Sequence, residues 1–206
     1  MRRCVIVGGA DIKDYNVIKS YLMADDFFVF CDCGLRHREG LGVEPNLIVG
    51  DFDSFDNPNL KTETIVLPVE KDDTDTVFSV KEAVKRGFED FLIIGVIGQR
   101  LDHTLGNVSI LKMLYDMGKK AVIADDYAEM VIAGKEPQFV EDSFPYFSLI
   151  NIFGETKGIT IKNAKYPLDN AEIKCDWQYG VSNEVIKDKK AEITVAEGQL
   201  LLVKVR

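Results

Sequence analysis

Pro45-Asn46-Leu47-Ile48-Val49-Gly50-Asp51-Phe52-Asp53-Ser54 reads as a short buried strand that stops at a glycine and then presents two carboxylates. Residues i and i+2 of an extended chain point the same way, so Asp51 and Asp53 can converge on one cation. The alternative is a surface turn, in which Asp and Ser bond their own backbone. Two further acidic loops weigh against that alternative. Lys71-Asp72-Asp73-Thr74-Asp75 precedes a helical segment, and Gly98-Gln99-Arg100-Leu101-Asp102-His103-Thr104 follows the apolar run at 91–97. Acidic loops at element ends, two of them with a basic residue, fit a Mg²⁺–polyphosphate site. A hard cation takes oxygen ligands, and phosphate oxygens take Lys or Arg.

Outward from that stretch, the first 125 residues alternate apolar runs with helical patterns. The runs are 4–7, 27–31, 47–49, 65–67, 91–97 and 121–124; helical spacing marks 14–24, 76–86 and 104–117. Val77, Val80 and Val84, then Leu105, Val108, Leu111 and Tyr115, form apolar stripes at three- and four-residue intervals. Short apolar strands alternating with helices predict a mostly parallel, Rossmann-like α/β sandwich with both sheet faces covered. Ligands of such sheets bind beyond the carboxyl ends of the strands, where Asp51, Arg100 and Asp102 fall. From about Met130 the texture changes to short β-rich pieces at 147–153, 158–161, 171–175, 191–195 and 200–205, separated by turn residues. That spacing predicts an antiparallel β-sandwich or barrel. The expected domains are 1–127 and 128–206, and no Gly/Ser-rich or Pro-rich linker separates them.

A chain of 206 residues with net charge −9 and no visible basic stripe is not built to coat nucleic acid. No apolar stretch approaches the roughly 20 residues that span a bilayer. The opening Met1-Arg2-Arg3-Cys4-Val5-Ile6-Val7-Gly8-Gly9 has too short an apolar run for a secretory signal and reads as the first strand, so a cytoplasmic location is expected. Cys4, Cys31, Cys33 and Cys175 lack CxxC spacing, and Cys31 and Cys33, at an apolar strand ending, read as small buried hydrophobes rather than metal ligands. There is no GxxxxGK[ST] and no GxGxxG after a strand.

Each acidic loop has a structural reading beside the chemical one. Asp73 or Asp75 can cap the helix that begins near Thr76, and Asp102 the helix over 104–117, with Arg100 as its ion-pair partner. In the chemical reading Arg100 meets phosphate oxygens, Asp102 orients a metal or the attacking hydroxyl, and Thr104 and Asn107 line a helix N-terminus that favours anions.

Together these motifs resemble the thiamine pyrophosphokinase family. The stretch 44–54 is similar to its central block, 71–75 and 100–107 to the next two, and Gly180-Val181-Ser182-Asn183-Glu184 to its C-terminal signature. The likeness runs in order along nearly the whole chain. Gln99 stands where the family often has Gly, and Cys31-Asp32-Cys33-Gly34 replaces a block richer in Ala and Gly.

The resemblance implies transfer of a pyrophosphoryl group from ATP to thiamine, with Mg²⁺, giving thiamine diphosphate and AMP. It implies an α/β domain for ATP and Mg²⁺ and a β-sandwich domain for thiamine, in a homodimer whose active site lies at the subunit interface. Carried onto this chain, it makes Asp51, Asp53 and Asp73 metal and catalytic carboxylates, and Asp102 the group that orients or deprotonates the hydroxyl. Asp32, Lys71, Arg100, Thr104 and Asn107 become ATP contacts. Asp75, Ser182, Asn183 and Trp177 become thiamine contacts, the aromatic face of Trp177 suiting a cationic thiazolium. A lone tryptophan in a β domain also has a core reading. Three rivals stand beside this expectation: a metal-dependent phosphohydrolase, a pterin pyrophosphokinase using the same aspartates, and a non-catalytic Mg–nucleotide sensor.

Overall fold

The computed structural model describes residues 2–52, 61–70, 72–98 and 100–206. The chain divides into two compact units, Met1–Asp126 and Tyr127–Arg206. Asp53, Lys71 and Gln99 lie outside the described residues.

The first unit is built on six parallel strands: β1 (Cys4–Val7), β2 (Phe27–Cys31), β3 (Leu47–Gly50), β4 (Glu63–Val66), β5 (Asp90–Ile94) and β6 (Lys120–Ala124). Their spatial order is β4-β3-β2-β1-β5-β6. The chain winds outward from β1 to β4, then crosses back to add β5 on the other side of β1. The β1/β5 junction is therefore a topological switch point, where loops leave in opposite directions and open a crevice. Strands β1, β2, β3 and β5 are almost wholly buried and read as continuous apolar runs, as a sheet covered on both faces requires. Val5, Val7, Ile18, Phe28, Phe30, Ile48, Leu92 and Ile94 share one core cluster.

Helices α1 (Tyr15–Lys19), α2 (Arg38–Leu41), α3 (Asp75–Lys85) and α4 (Leu101–Asp116) complete this unit, with a 3-10 helix at Asp32–His37 leading into α2. Helix α1 is shorter than the apolar spacing at 14–24 suggests. Met23 N–H donates to the Asp26 carboxylate, so the segment turns toward β2 instead of continuing the helix. No helix among the described residues is long and apolar enough to cross a membrane.

The second unit holds two antiparallel sheets. One is β7 (Ala128–Ala133), β13 (Leu200–Val205) and β9 (Tyr146–Ile150), in that order. The other runs β11 (Leu168–Ala171), β10 (Lys157–Lys162), β12 (Lys190–Glu197) and β8 (Gln138–Glu141). Strand β12 alternates buried Ala191, Ile193 and Val195 with more exposed neighbours, the period-2 pattern of a one-sided sheet.

Candidate active site

The loops that leave β1, β2, β3 and β5, with the start of α3, line a cleft of about 600 Å³ at the switch point. Gly8 to Asp11 follow β1, Cys31 ends β2 with Asp32, Cys33 and Arg36 after it, and Asp51 follows β3. Thr74 to Thr76 come from the start of α3, Gly95, Val96 and Gly98 from the loop after β5, and Arg100, His103 and Asn107 from the approach to α4 and its first turns.

Three carboxylates converge here. Asp32, Asp51 and Asp75 each offer an oxygen within 4.8 Å of the others. Asp32 is buried, and its backbone has φ 22°; Phe52, next to Asp51, has φ 56°. Left-handed backbone at non-glycine residues costs roughly 1–3 kcal/mol and persists where surrounding structure fixes it. Gly50 is part of that surrounding structure: a Cβ there would stand 2.8 Å from the Asp32 Cβ. An all-oxygen, acidic donor set at this spacing fits a hard divalent cation such as Mg²⁺.

Asp75 is the first residue of α3, and the cap is supplied by Thr74, whose Oγ1 accepts from Val77 N–H at 3.3 Å. Asp75 itself lines the cleft. Asp73, expected from the resemblance as a metal and catalytic carboxylate, is placed differently from Asp75. Its two carboxylate oxygens accept from Lys81 Nζ at 2.8 and 2.7 Å, and it stands outside the acidic trio. The chain turns at the Thr74 cap between Asp73 and Asp75.

Arg100 and Asp102 form a two-bond pair at 3.0 and 2.7 Å, both well exposed. That guanidinium holds the Asp102 carboxyl well below the usual carboxylate range. Arg100 lines the cleft; Asp102 does not. Helix α4 begins at Leu101 rather than 104, so Asp102 lies inside its first turn. Thr104 Oγ1 accepts from Gly98 N–H at 3.1 Å and closes the loop onto the helix, and Thr104 is not among the residues that line the cleft. Asn107 is buried and donates from Nδ2 to the Val96 carbonyl at 2.9 Å while lining the cleft.

Within the second unit, the signature at 180–184 divides. Asn183 is buried; its Nδ2 donates to Tyr166 O at 2.8 Å, and its Oδ1 accepts from the N–H groups of Tyr166 and Glu184. Its amide therefore pegs the loop. Ser182 is exposed at φ 58°, and its N–H donates to Ser148 Oγ at 3.0 Å. Trp177 is 68% exposed, which overturns its core reading, with Tyr179 tilted against it at 5.3 Å between ring centroids. Gln178 fixes the loop between them. It accepts from Asn151 N–H at 2.9 Å and donates to the carbonyls of Asn151 and Cys175.

Residues 18–123 match the thiamin pyrophosphokinase catalytic domain, and residues 136–200 the thiamin pyrophosphokinase vitamin B1 binding domain. The chain belongs to the thiamin pyrophosphokinase family. It is 26% identical over 212 residues to the thiamine pyrophosphokinase of Bacillus subtilis (strain 168), across 99% of both chains. The solved thiamine pyrophosphokinase from Bacillus subtilis superposes with a TM-score of 0.85 at 23% identity, over 99% of each chain. The thiamin pyrophosphokinase of Geobacillus thermodenitrificans superposes at 0.83 with 25% identity, over 99% of this chain and 97% of that one.

Within this family fold, sequence reasoning passed over Asp11, Arg36 and His103, which all line the cleft. The signal for the first two was available: each follows a glycine-containing strand end, Gly8-Gly9 and Cys33-Gly34, in the region where a parallel sheet binds ligands. Arg36 Nη1 donates to Asp11 Oδ1 at 3.2 Å, linking those two loops at the rim.

Proposed function

We infer that this chain transfers the pyrophosphoryl group of ATP to the hydroxyl of thiamine, forming thiamine diphosphate and AMP. The observation that carries the reading is the convergence of Asp32, Asp51 and Asp75 at the switch-point cleft of a chain in this family. Asp32, Asp51 and Asp75 would hold Mg²⁺, with Asp53 as a further ligand. When bound, that ion supplies positive charge against the β- and γ-phosphate oxygens.

The thiamine oxygen attacks the β-phosphorus, the bond from that phosphorus to the α,β-bridging oxygen breaks, and AMP leaves with the electron pair. Arg100 and Lys71 contact phosphate oxygens, Arg100 by a planar fork suited to them. In this reading Arg100 leaves Asp102 for phosphate, and the released Asp102 carboxylate, outside the cleft while the pair is intact, turns in to orient or deprotonate the hydroxyl. Asn107 holds the loop after β5 through the Val96 carbonyl. Trp177 and Tyr179 offer aromatic faces to the cationic thiazolium, with Ser182 beside them in the chain.

The finer reading is a homodimer with its active site at the subunit interface. Tyr166, Trp177, Tyr179 and Val181, all exposed in the second unit, support an apolar contact there. A cytoplasmic location accords with four free cysteines and with a reaction that draws on ATP. The phosphohydrolase, pterin and sensor rivals gain nothing from the matches along both units.

The test is product analysis after incubation with ATP and Mg²⁺, with and without thiamine. AMP and thiamine diphosphate appearing together, only with thiamine, is the expected result. Thiamine-independent phosphate or ADP would replace the reading with a hydrolase, and bound ATP without turnover would replace it with a sensor.

A further inference from the structure

His37 is 2% exposed and has no place in the chemistry described above, yet both of its ring nitrogens are bonded. Nε2 lies 2.9 Å from the Ala10 carbonyl and Nδ1 lies 2.8 Å from the Tyr15 hydroxyl. A carbonyl can only accept, so Nε2 carries the ring proton and donates it to Ala10. In the neutral ring Nδ1 then accepts from Tyr15. Burial pushes the His37 pKa below its ordinary value, which keeps the ring in that neutral form.

The peptide of Ala10 is held on its other side as well. Its N–H donates to the Gly95 carbonyl at 2.8 Å, in the loop after β5. Ala10 thus stands between the loop on one side of the switch point and the 3-10 helix on the other. Tyr15 reaches His37 because residue 40 is glycine: a Cβ there would stand 2.3 Å from the tyrosine ring. A second side-chain tie between these two walls is Arg36 to Asp11 at 3.2 Å, whose side chains are 46% and 67% exposed. Exposed pairs are screened and contribute little, so the buried histidine sets the spacing.

We propose that His37 is a positioning residue for nucleotide binding, fixing the Gly8–Asp11 wall of the cleft through the Ala10 carbonyl. The proposal rests on the reading of that cleft as the Mg–ATP site. It concerns the nucleotide half of the reaction only.

The experiment uses the full chain as wild type, His37→Leu, His37→Gln and Tyr15→Phe. It measures calorimetric binding of Mg–α,β-methylene-ATP and the separate KM values for ATP and thiamine. The glutamine amide can reach the position of Nε2 and donate to Ala10; leucine cannot. His37→Leu should weaken the analogue and raise the ATP KM by about tenfold, as expected for one lost buried hydrogen bond. The thiamine KM should stay within about twofold, because uniform loss of folded enzyme changes kcat and not one KM. His37→Gln should recover most of the affinity.

A folded His37→Leu that binds like wild type overturns the proposal, as does a thiamine KM rising in parallel, or a His37→Gln no better than the leucine variant. If His37→Leu does not fold, Tyr15→Phe decides. It removes the donor that fixes the tautomer and keeps the ring, so it should weaken the analogue about threefold, and unchanged binding overturns the proposal. A wild type that neither binds the analogue nor forms thiamine diphosphate overturns the function reading and this proposal with it. A wild type active in both, with indifferent variants, overturns this proposal alone.

Discussion

The carboxylate of Asp73 accepts from Lys81 Nζ through both of its oxygens, at 2.8 and 2.7 Å. Two residues on, Asp75 converges instead with Asp32 and Asp51. The helix cap at Thr74 separates the two aspartates' roles, which proximity in sequence would merge. Asp75→Asn should therefore lower kcat/KM at limiting Mg²⁺ by at least about a hundredfold, at the upper end of losses from disturbing a metal site. Asp73→Asn, which removes an ion pair with a half-exposed lysine, should cost less than about fivefold. The check is AMP formation across a Mg²⁺ titration. The opposite ranking would remove Asp75 from the metal assignment.

Trp177 is the chain's one tryptophan and is 68% exposed, so intrinsic fluorescence reports on a single site. Thiamine binding over its face should quench that emission, and ATP alone should leave it unchanged. Trp177→Ala should raise the thiamine KM by roughly 5–30-fold, the equivalent of a cation–π contact of about 1–2 kcal/mol, with the ATP KM steady. Emission indifferent to saturating thiamine would place the thiazolium elsewhere.

How much of this was legible beforehand depends on whether a residue's role is set locally. Apolar runs mark β1 and β2 to the residue, because strands buried on both faces leave no room for polar interruptions. The run at 91–97 overreaches, since Gly95 takes φ 63° and ends β5 at Ile94. Strands β7 and β8, and the helical turns from Asp32 to Leu41, carry weak local patterns. At the site, Asp51 is readable because it ends a strand. Asp32 is named only through the resemblance, as an ATP contact; its place in the acidic trio was not legible, because its burial comes from the packing of Gly50 and its direction from a left-handed backbone. Asn183 looks like a ligand residue in sequence, and only the fold shows its amide engaged with the backbone of Tyr166.

His37 also predicts a pH dependence of stability. Burial lowers its folded pKa from the ordinary 6.5, against the opposing influence of the Ala10 carbonyl, Asp11 and Asp126 and with that of Arg36. Below that value the unfolded chain binds the proton more readily than the folded one, so folding must keep the ring neutral. The contribution is complete above pH 6.5 and is lost as pH falls through the folded pKa. His37→Gln, which does not titrate, should flatten the fall in Tm between about pH 7 and 5.5. With only two histidines in the chain, the wild-type titration is assignable by NMR, and a His37 pKa above 6.5 would reverse the predicted slope.

Asp26 should separate stability from activity. Its carboxylate accepts from Arg3 Nε at 3.0 Å and from Arg3 Nη2 at 2.8 Å, and it also accepts from Met23 N–H. The Asp26 side chain is fully buried, and that of Arg3 is 13% exposed. The pair ties the turn after α1 to β1 at the amino ends of the strands, opposite the cleft. Asp26→Ala leaves the arginine charge buried without its partner, which costs about 3–5 kcal/mol. Of a typical stability of about 5–15 kcal/mol, that is a large share, so the urea midpoint should fall well below that of wild type. The ATP and thiamine KM values of the molecules that remain folded should not change. Replacing both partners, as Arg3→Met with Asp26→Leu, removes the stranded charge and should recover much of the loss. A double variant no more stable than Asp26→Ala would mean that the Met23 contact, rather than the ion pair, secures this corner of the sheet.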